Sequence, residues 1–87
     1  MAPYKENFPA GSRVQIVAHE QLQEFKNSWK LHHPLEEFQL NFAGMIAVVE
    51  GAGFYHGGDV LYKLKDVPGT WHEACLTTPV SVNRDLS

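Results

Sequence analysis

The chain reads as a single, mostly β domain with one helix inserted between its first and second strands. Three observations lead there. Short runs of β-branched and aromatic residues recur between glycine- and proline-containing turns. One stretch alone, His19 to Lys30, carries a helical apolar period. Finally, 87 residues with 44% hydrophobic and 11% aromatic content suffice for one compact core and are too few for two.

The elements follow in order. Residues 1–7 are polar and predict no structure. Phe8-Pro9-Ala10-Gly11-Ser12 reads as a turn, and Arg13-Val14-Gln15-Ile16-Val17 alternates polar with β-branched residues, which predicts a strand with Val14 and Ile16 facing inward. In the following helix Leu22, Phe25 and Trp29 fall on one face, with acidic residues early and lysines late to suit the helix dipole. Pro34 disfavours a helical conformation at His33, so the helix ends by that point. Leu35 to Asn41 fits either a helical turn through Leu35 and Phe38 or a strand approach through Phe38, Leu40 and Phe42.

Met45-Ile46-Ala47-Val48-Val49 is a continuous apolar run of strand length. Gly51 to Asp59 predicts a glycine-rich loop, and Val60-Leu61-Tyr62-Lys63-Leu64-Lys65 a strand with Val60, Tyr62 and Leu64 on one face. Val67-Pro68-Gly69-Thr70 has the proline and glycine of a type II turn. Trp71 to Leu76 is the answering strand, stopped by Pro79.

This punctuation, with Gly11-Ser12-Arg13-Val14 opening the first strand, Gly44 opening the central meander, and Leu61-Tyr62-Lys63-Leu64 leading through a turn to Leu76 and Pro79, resembles a small SH3-like antiparallel barrel. Among such barrels it looks most like the β-roll of the nitrile hydratase β-subunit and related electron-transfer accessory proteins. The likeness covers Gly11 to Val17 and Gly44 to Pro79. It implies one barrel domain over residues 8–79, a helical insertion over 19–42 that lies outside the shared pattern, and a tail over 80–87.

Charge and cysteine content bound the function classes. The net charge is −3 and the seven basic residues are scattered, whereas a nucleic-acid surface concentrates them in a stripe, so no nucleic-acid partner is expected. The single Cys75 forbids an internal disulfide and suits a reducing compartment. No apolar run reaches transmembrane length and the start lacks a signal-peptide core, so the expected setting is cytoplasmic with no membrane contact.

The chemistry-bearing residues support binding over catalysis. His32 and His33 are adjacent, and neighbouring side chains diverge on most backbones. A closed zinc site commonly uses several thiolates, and here there is one. The expectation is therefore no metal and no cofactor, with a metal- or small-ligand site built from His19, His32, His33, His56 or His72 as the alternative. Gly51-Ala52-Gly53 precedes a strand and matches no phosphate-loop pattern. Cys75 paired with His72, His56 or His19, and oriented by Glu73, would make a nucleophile, but nothing in the spacing brings them together. The expected role is a non-catalytic protein-binding or accessory module. Its binding candidates are Phe54, Tyr55, His56, Asp59, Trp71, His72 and Glu73, an aromatic and polar set in or beside two loops. A purely structural role for Trp71 and Tyr62, plugging the barrel ends, stands equally with that reading.

Overall fold

The computed structural model describes residues 7–55 and 59–79, with the side chains of Tyr55 and Asp59 left out of the description. Five antiparallel strands form one curled sheet, a half-barrel, with a helix between the first and second strands. The strands are β1 (Arg13–Ile16), β2 (Ile46–Tyr55), β3 (Asp59–Leu64), β4 (Val67–His72) and β5 (Leu76–Thr77), and the helix is α1 (His19–Ser28). Short 3₁₀ segments occupy Glu37–Phe42 and Glu73–Cys75. Across the sheet the order is β4-β3-β2-β1-β5.

Alternation in β1 works as the sequence predicts. Val14 and Ile16 are fully buried, while Arg13 and Gln15 pair with Val48 and Ile46 on the outer face. The same alternation holds at the start of β2, where Ala47 and Val49 are buried but Ile46 and Val48 are exposed, as is Met45 just before the strand. The apolar run of Met45 to Val49 is thus covered on one side only, because a half-barrel has one interior. The core also takes Leu22, Leu35, Leu40, Tyr62, Leu64, Val67, Trp71, Cys75 and Leu76.

Helix α1 ends at Ser28, ahead of Pro34, and the Trp29 N–H still reaches the Phe25 carbonyl at 2.8 Å. Leu22 enters the core, whereas Phe25 and Trp29 are half-buried and stack on one another with centroids 5.5 Å apart. The ambiguous segment after Pro34 forms the 3₁₀ turn, which seats Leu40 and Gln39 inward.

Three local expectations are corrected. Gly51 to Tyr55 belongs to β2 rather than to a loop, since pairing to β3 holds these residues from Gly51↔Lys63 through Tyr55↔Asp59. The reversal between β3 and β4 lies at Lys65–Asp66, with Asp66 at φ 62, and not at Pro68–Gly69. Aspartate tolerates that left-handed conformation better than most residues. Gly69 is instead a strand glycine at φ 101, and a Cβ there would sit 3.0 Å from Gln39 Nε2. Its role is to let Gln39 approach. Lastly, the predicted strand Trp71 to Leu76 breaks at His72 into the second 3₁₀ segment, and only Leu76–Thr77 resumes pairing, with β1.

Gln39 explains how the outer edge of β4 is closed. Its Nε2 donates to the Thr70 carbonyl at 3.1 Å and its Oε1 accepts from the Glu36 N–H at 2.8 Å, so a nearly fully buried amide is satisfied at both ends.

Candidate functional site

The candidate site lies on β2, where that strand outruns its neighbour. β2 is ten residues long, and β1 pairs only with Ile46, Ala47 and Val48. Beyond them the Val49 N–H donates to the Ser12 carbonyl and the Gly11 N–H to the Val49 carbonyl, each at 2.8 Å. There the chain preceding β1 turns away, through a Ser12-to-Pro9 turn and Gly11 at φ 93. It leads instead to Phe8, whose ring packs against Tyr62 with centroids 5.7 Å apart. Gly51 to Tyr55 pairs with β3, from Gly51↔Lys63 through Tyr55↔Asp59.

The outermost strands of the sheet offer little free edge. β4 carries Pro68, which has no N–H to offer, and Gln39 caps its Thr70 carbonyl. β5 is two residues long and is followed by Pro79. The second half of β2, Gly51-Ala52-Gly53-Phe54-Tyr55, carries no charged side chain.

This stretch borders a groove of about 410 Å³ lined by Gly51, Ala52, Gly53, Leu61, Tyr62, Lys63, Thr70 and His33. Lys63 stands opposite Gly51 and Leu61 opposite Gly53. Ala52 pairs with buried Tyr62, and Phe54 is 44% exposed.

The candidate residues from sequence are divided by this geometry. Phe54 and Tyr55 lie in the second half of β2, and Asp59 opposite Tyr55 in β3. His56 lies outside the described residues, as do the side chains of Tyr55 and Asp59. Trp71 is completely buried and His72 nearly so, so neither offers a surface in the folded domain. Glu73 is half-buried and engaged structurally: it accepts the Tyr62 hydroxyl at 2.5 Å and the Asn7 N–H at 3.2 Å.

Three histidines do come together. His72 Nε2 donates to the His33 carbonyl at 2.7 Å, its ring lies 4.9 Å from Trp29 and 5.8 Å from His32, and the Nδ1 atoms of His32 and His33 are 3.2 Å apart. The cluster pins the loop after α1 to the end of β4, helped by a 2.7 Å bond from Trp29 Nε1 to the His32 carbonyl. His33 adopts a left-handed φ of 48 to make this turn. Among the described residues no group of three or more histidine, cysteine or acidic side chains is placed to hold a metal ion.

Cys75 is buried, and burial pushes its thiol up to about 12. Tyr62 rises to about 12 as well, through burial first and then its bond to Glu73. Both groups favour their neutral forms when folded. Stability should accordingly be full below pH 9, where neither is ionised in the unfolded chain. It should fall from pH 9 as unfolded Cys75 loses its proton, and more steeply from pH 10 as Tyr62 joins, until about pH 12. The slope is at most about 1.4 kcal/mol per pH unit for each group. Urea midpoints measured from pH 8 to 11 check this. Cys75→Ala should remove the decline between pH 9 and 10, and an unchanged decline there would assign it to other groups.

No family model matches the chain, and neither a curated protein nor a solved structure resembles it significantly. No helix among the described residues is long and apolar enough to cross a membrane.

Proposed function

We propose that this domain is a non-catalytic protein-binding module whose contact surface lies on the second half of β2. The observation that carries the reading is the groove of about 410 Å³ over Gly51 and Gly53, walled by Leu61 and Lys63. Phe54, a candidate from sequence, is 44% exposed in the same stretch, and aromatic side chains are favoured anchors of protein interfaces. The SH3-like resemblance agrees with such a role, since small barrels of that kind serve as accessory and recognition modules.

A library of random displayed segments panned against the domain tests the reading. As synthetic peptides, the enriched segments should shift the amide resonances of Gly51, Gly53, Leu61 and Lys63 in a two-dimensional ¹⁵N spectrum. Shifts confined to the exposed Met45, Ile46 and Val48 face, or to α1, would place the interface there and refute the groove.

A further inference from the structure

The groove beside β2 carries one sign of charge. Among the described residues that line it Lys63 is the charged one, and no acidic side chain joins it, although the chain as a whole has a net charge of −3. Lys63 is exposed, and the ion pair found among the described residues, Lys26–Glu37, does not involve it. The groove is thus a cationic spot on an acidic molecule, which favours an anionic occupant.

The rest of the lining gives that occupant a shape. Leu61 and Lys63 stand two apart on β3, so they share a sheet face about 6.7 Å from each other. Paired with them on β2 are Gly53 and Gly51. A Cβ built on either glycine would meet nothing within 4 Å, so the space over both is open. Neither glycine has a positive φ, so the backbone itself does not require glycine there. Glycine inside a strand weakens it, and it marks a bulge, a bend or the close approach of a ligand or another backbone. The irregularity in β2 lies between Val49 and Gly51, and the register beyond is unbroken, which leaves close approach as the reason for Gly53. The groove has a flat apolar end at Leu61 and Gly53 and a cationic end at Lys63 and Gly51. His33 forms part of its wall and is held there by its carbonyl, which accepts from His72 Nε2 at 2.7 Å.

Resting on the groove reading above, we propose that the occupant is an acidic segment of a partner protein, laid across this face with an aromatic residue and an aspartate or glutamate two positions apart. The ring lies on the Gly53 backbone against Leu61, and the carboxylate meets the Lys63 ammonium. An extended segment sets side chains i and i+2 on one side about 6.7 Å apart, which matches the separation of the two ends. A planar ring suits the flat end because it brings large contact area at low conformational cost. A side chain at position 53 would occupy the space of the ring.

Short peptides of Gly and Ser with Phe-Ser-Glu at the centre test this by titration in the ¹⁵N spectrum. The controls are Ala-Ser-Glu, Phe-Ser-Lys and 3-phenylpropionate, which carries a ring and a carboxylate without a peptide. The Phe-Ser-Glu peptide should bind at least about tenfold more tightly than each control, as truncated interface anchors imply. Lys63→Glu, an exposed substitution, should reverse the preference between the Glu and Lys peptides. Gly53→Val, checked for an unchanged circular dichroism spectrum, should abolish the advantage of Phe over Ala, and Lys63→Glu decides should that variant misfold. Equal binding of peptide and peptide controls, with shifts at Gly51, Gly53, Leu61 and Lys63, overturns the motif and leaves the groove reading standing. Binding of 3-phenylpropionate as tight as that of the peptide makes the occupant a small aromatic acid and overturns the partner segment. An unaltered preference in Lys63→Glu overturns the pairing with Lys63. Absence of shifts at these four residues with every peptide, the library-enriched segments included, overturns the groove reading itself.

Discussion

Trp71→Ala is expected to unfold the domain. Trp71 is completely buried, pairs with Tyr62 across β3 and β4, and meets Phe42 edge-on with centroids 6.4 Å apart. Truncating a core tryptophan to alanine costs about 3–5 kcal/mol. Domains as a class hold about 5–15 kcal/mol, and one of this size sits toward the lower end. The loss would thus consume most of the margin, and the variant should show a collapsed amide spectrum or a urea midpoint near zero. Trp71→Phe should behave quite differently. The indole Nε1 is buried and has no hydrogen-bond partner among the described residues. An unsatisfied buried donor costs about 1–3 kcal/mol, and phenylalanine removes that donor while keeping most of the apolar area. Its net cost should be under about 1.5 kcal/mol, in line with hydrophobic swaps in cores. A Trp71→Ala protein as stable as the parent would show that the half-barrel does not close on this side chain.

The second large effect concerns the inserted helix. Leu22 is fully buried, and Leu22→Ala should cost about 2–5 kcal/mol by urea denaturation. It is the buried residue of α1; Phe25 and Trp29 are half-buried and pack on one another and on His72. Truncation of Phe25 should therefore cost less than that of Leu22. Leu31, 67% exposed just beyond the helix, should tolerate alanine within about 0.5 kcal/mol. A Leu22→Ala cost as small as that for Leu31 would mean that α1 is not anchored to the sheet.

Both sites were legible in the sequence to different degrees. Leu22, Phe25 and Trp29 announce one helical face by their spacing alone, and how deep each goes depends on what the 3₁₀ turns bring against them. Trp71 was legible as an aromatic of consequence but not as core or surface, because a tryptophan beside a predicted turn fits either. Moving the turn back to Lys65–Asp66 puts Trp71 within β4, opposite Tyr62, and thereby in the interior. The groove was legible only as two glycines. Read locally, Gly51 and Gly53 signal a loop; paired with β3 they are strand residues facing Leu61 and Lys63. Their identical two-residue spacing was the available signal, and it acquires meaning once the register is known.

What the sequence determines by itself is therefore local. The alternation of β1, the period of α1, the halt before Pro34 and the mostly β character follow from side-chain chemistry within a few residues. The tertiary structure decides the rest: that β2 continues through its glycines, that Gly69 serves Gln39 instead of a turn, and that His32, His33 and His72 meet. The physical reason is the same in each case. Glycine, and a short apolar run, have weak conformational preferences of their own, so cross-strand hydrogen bonds and the packing of distant segments select among states that local sequence leaves nearly equal.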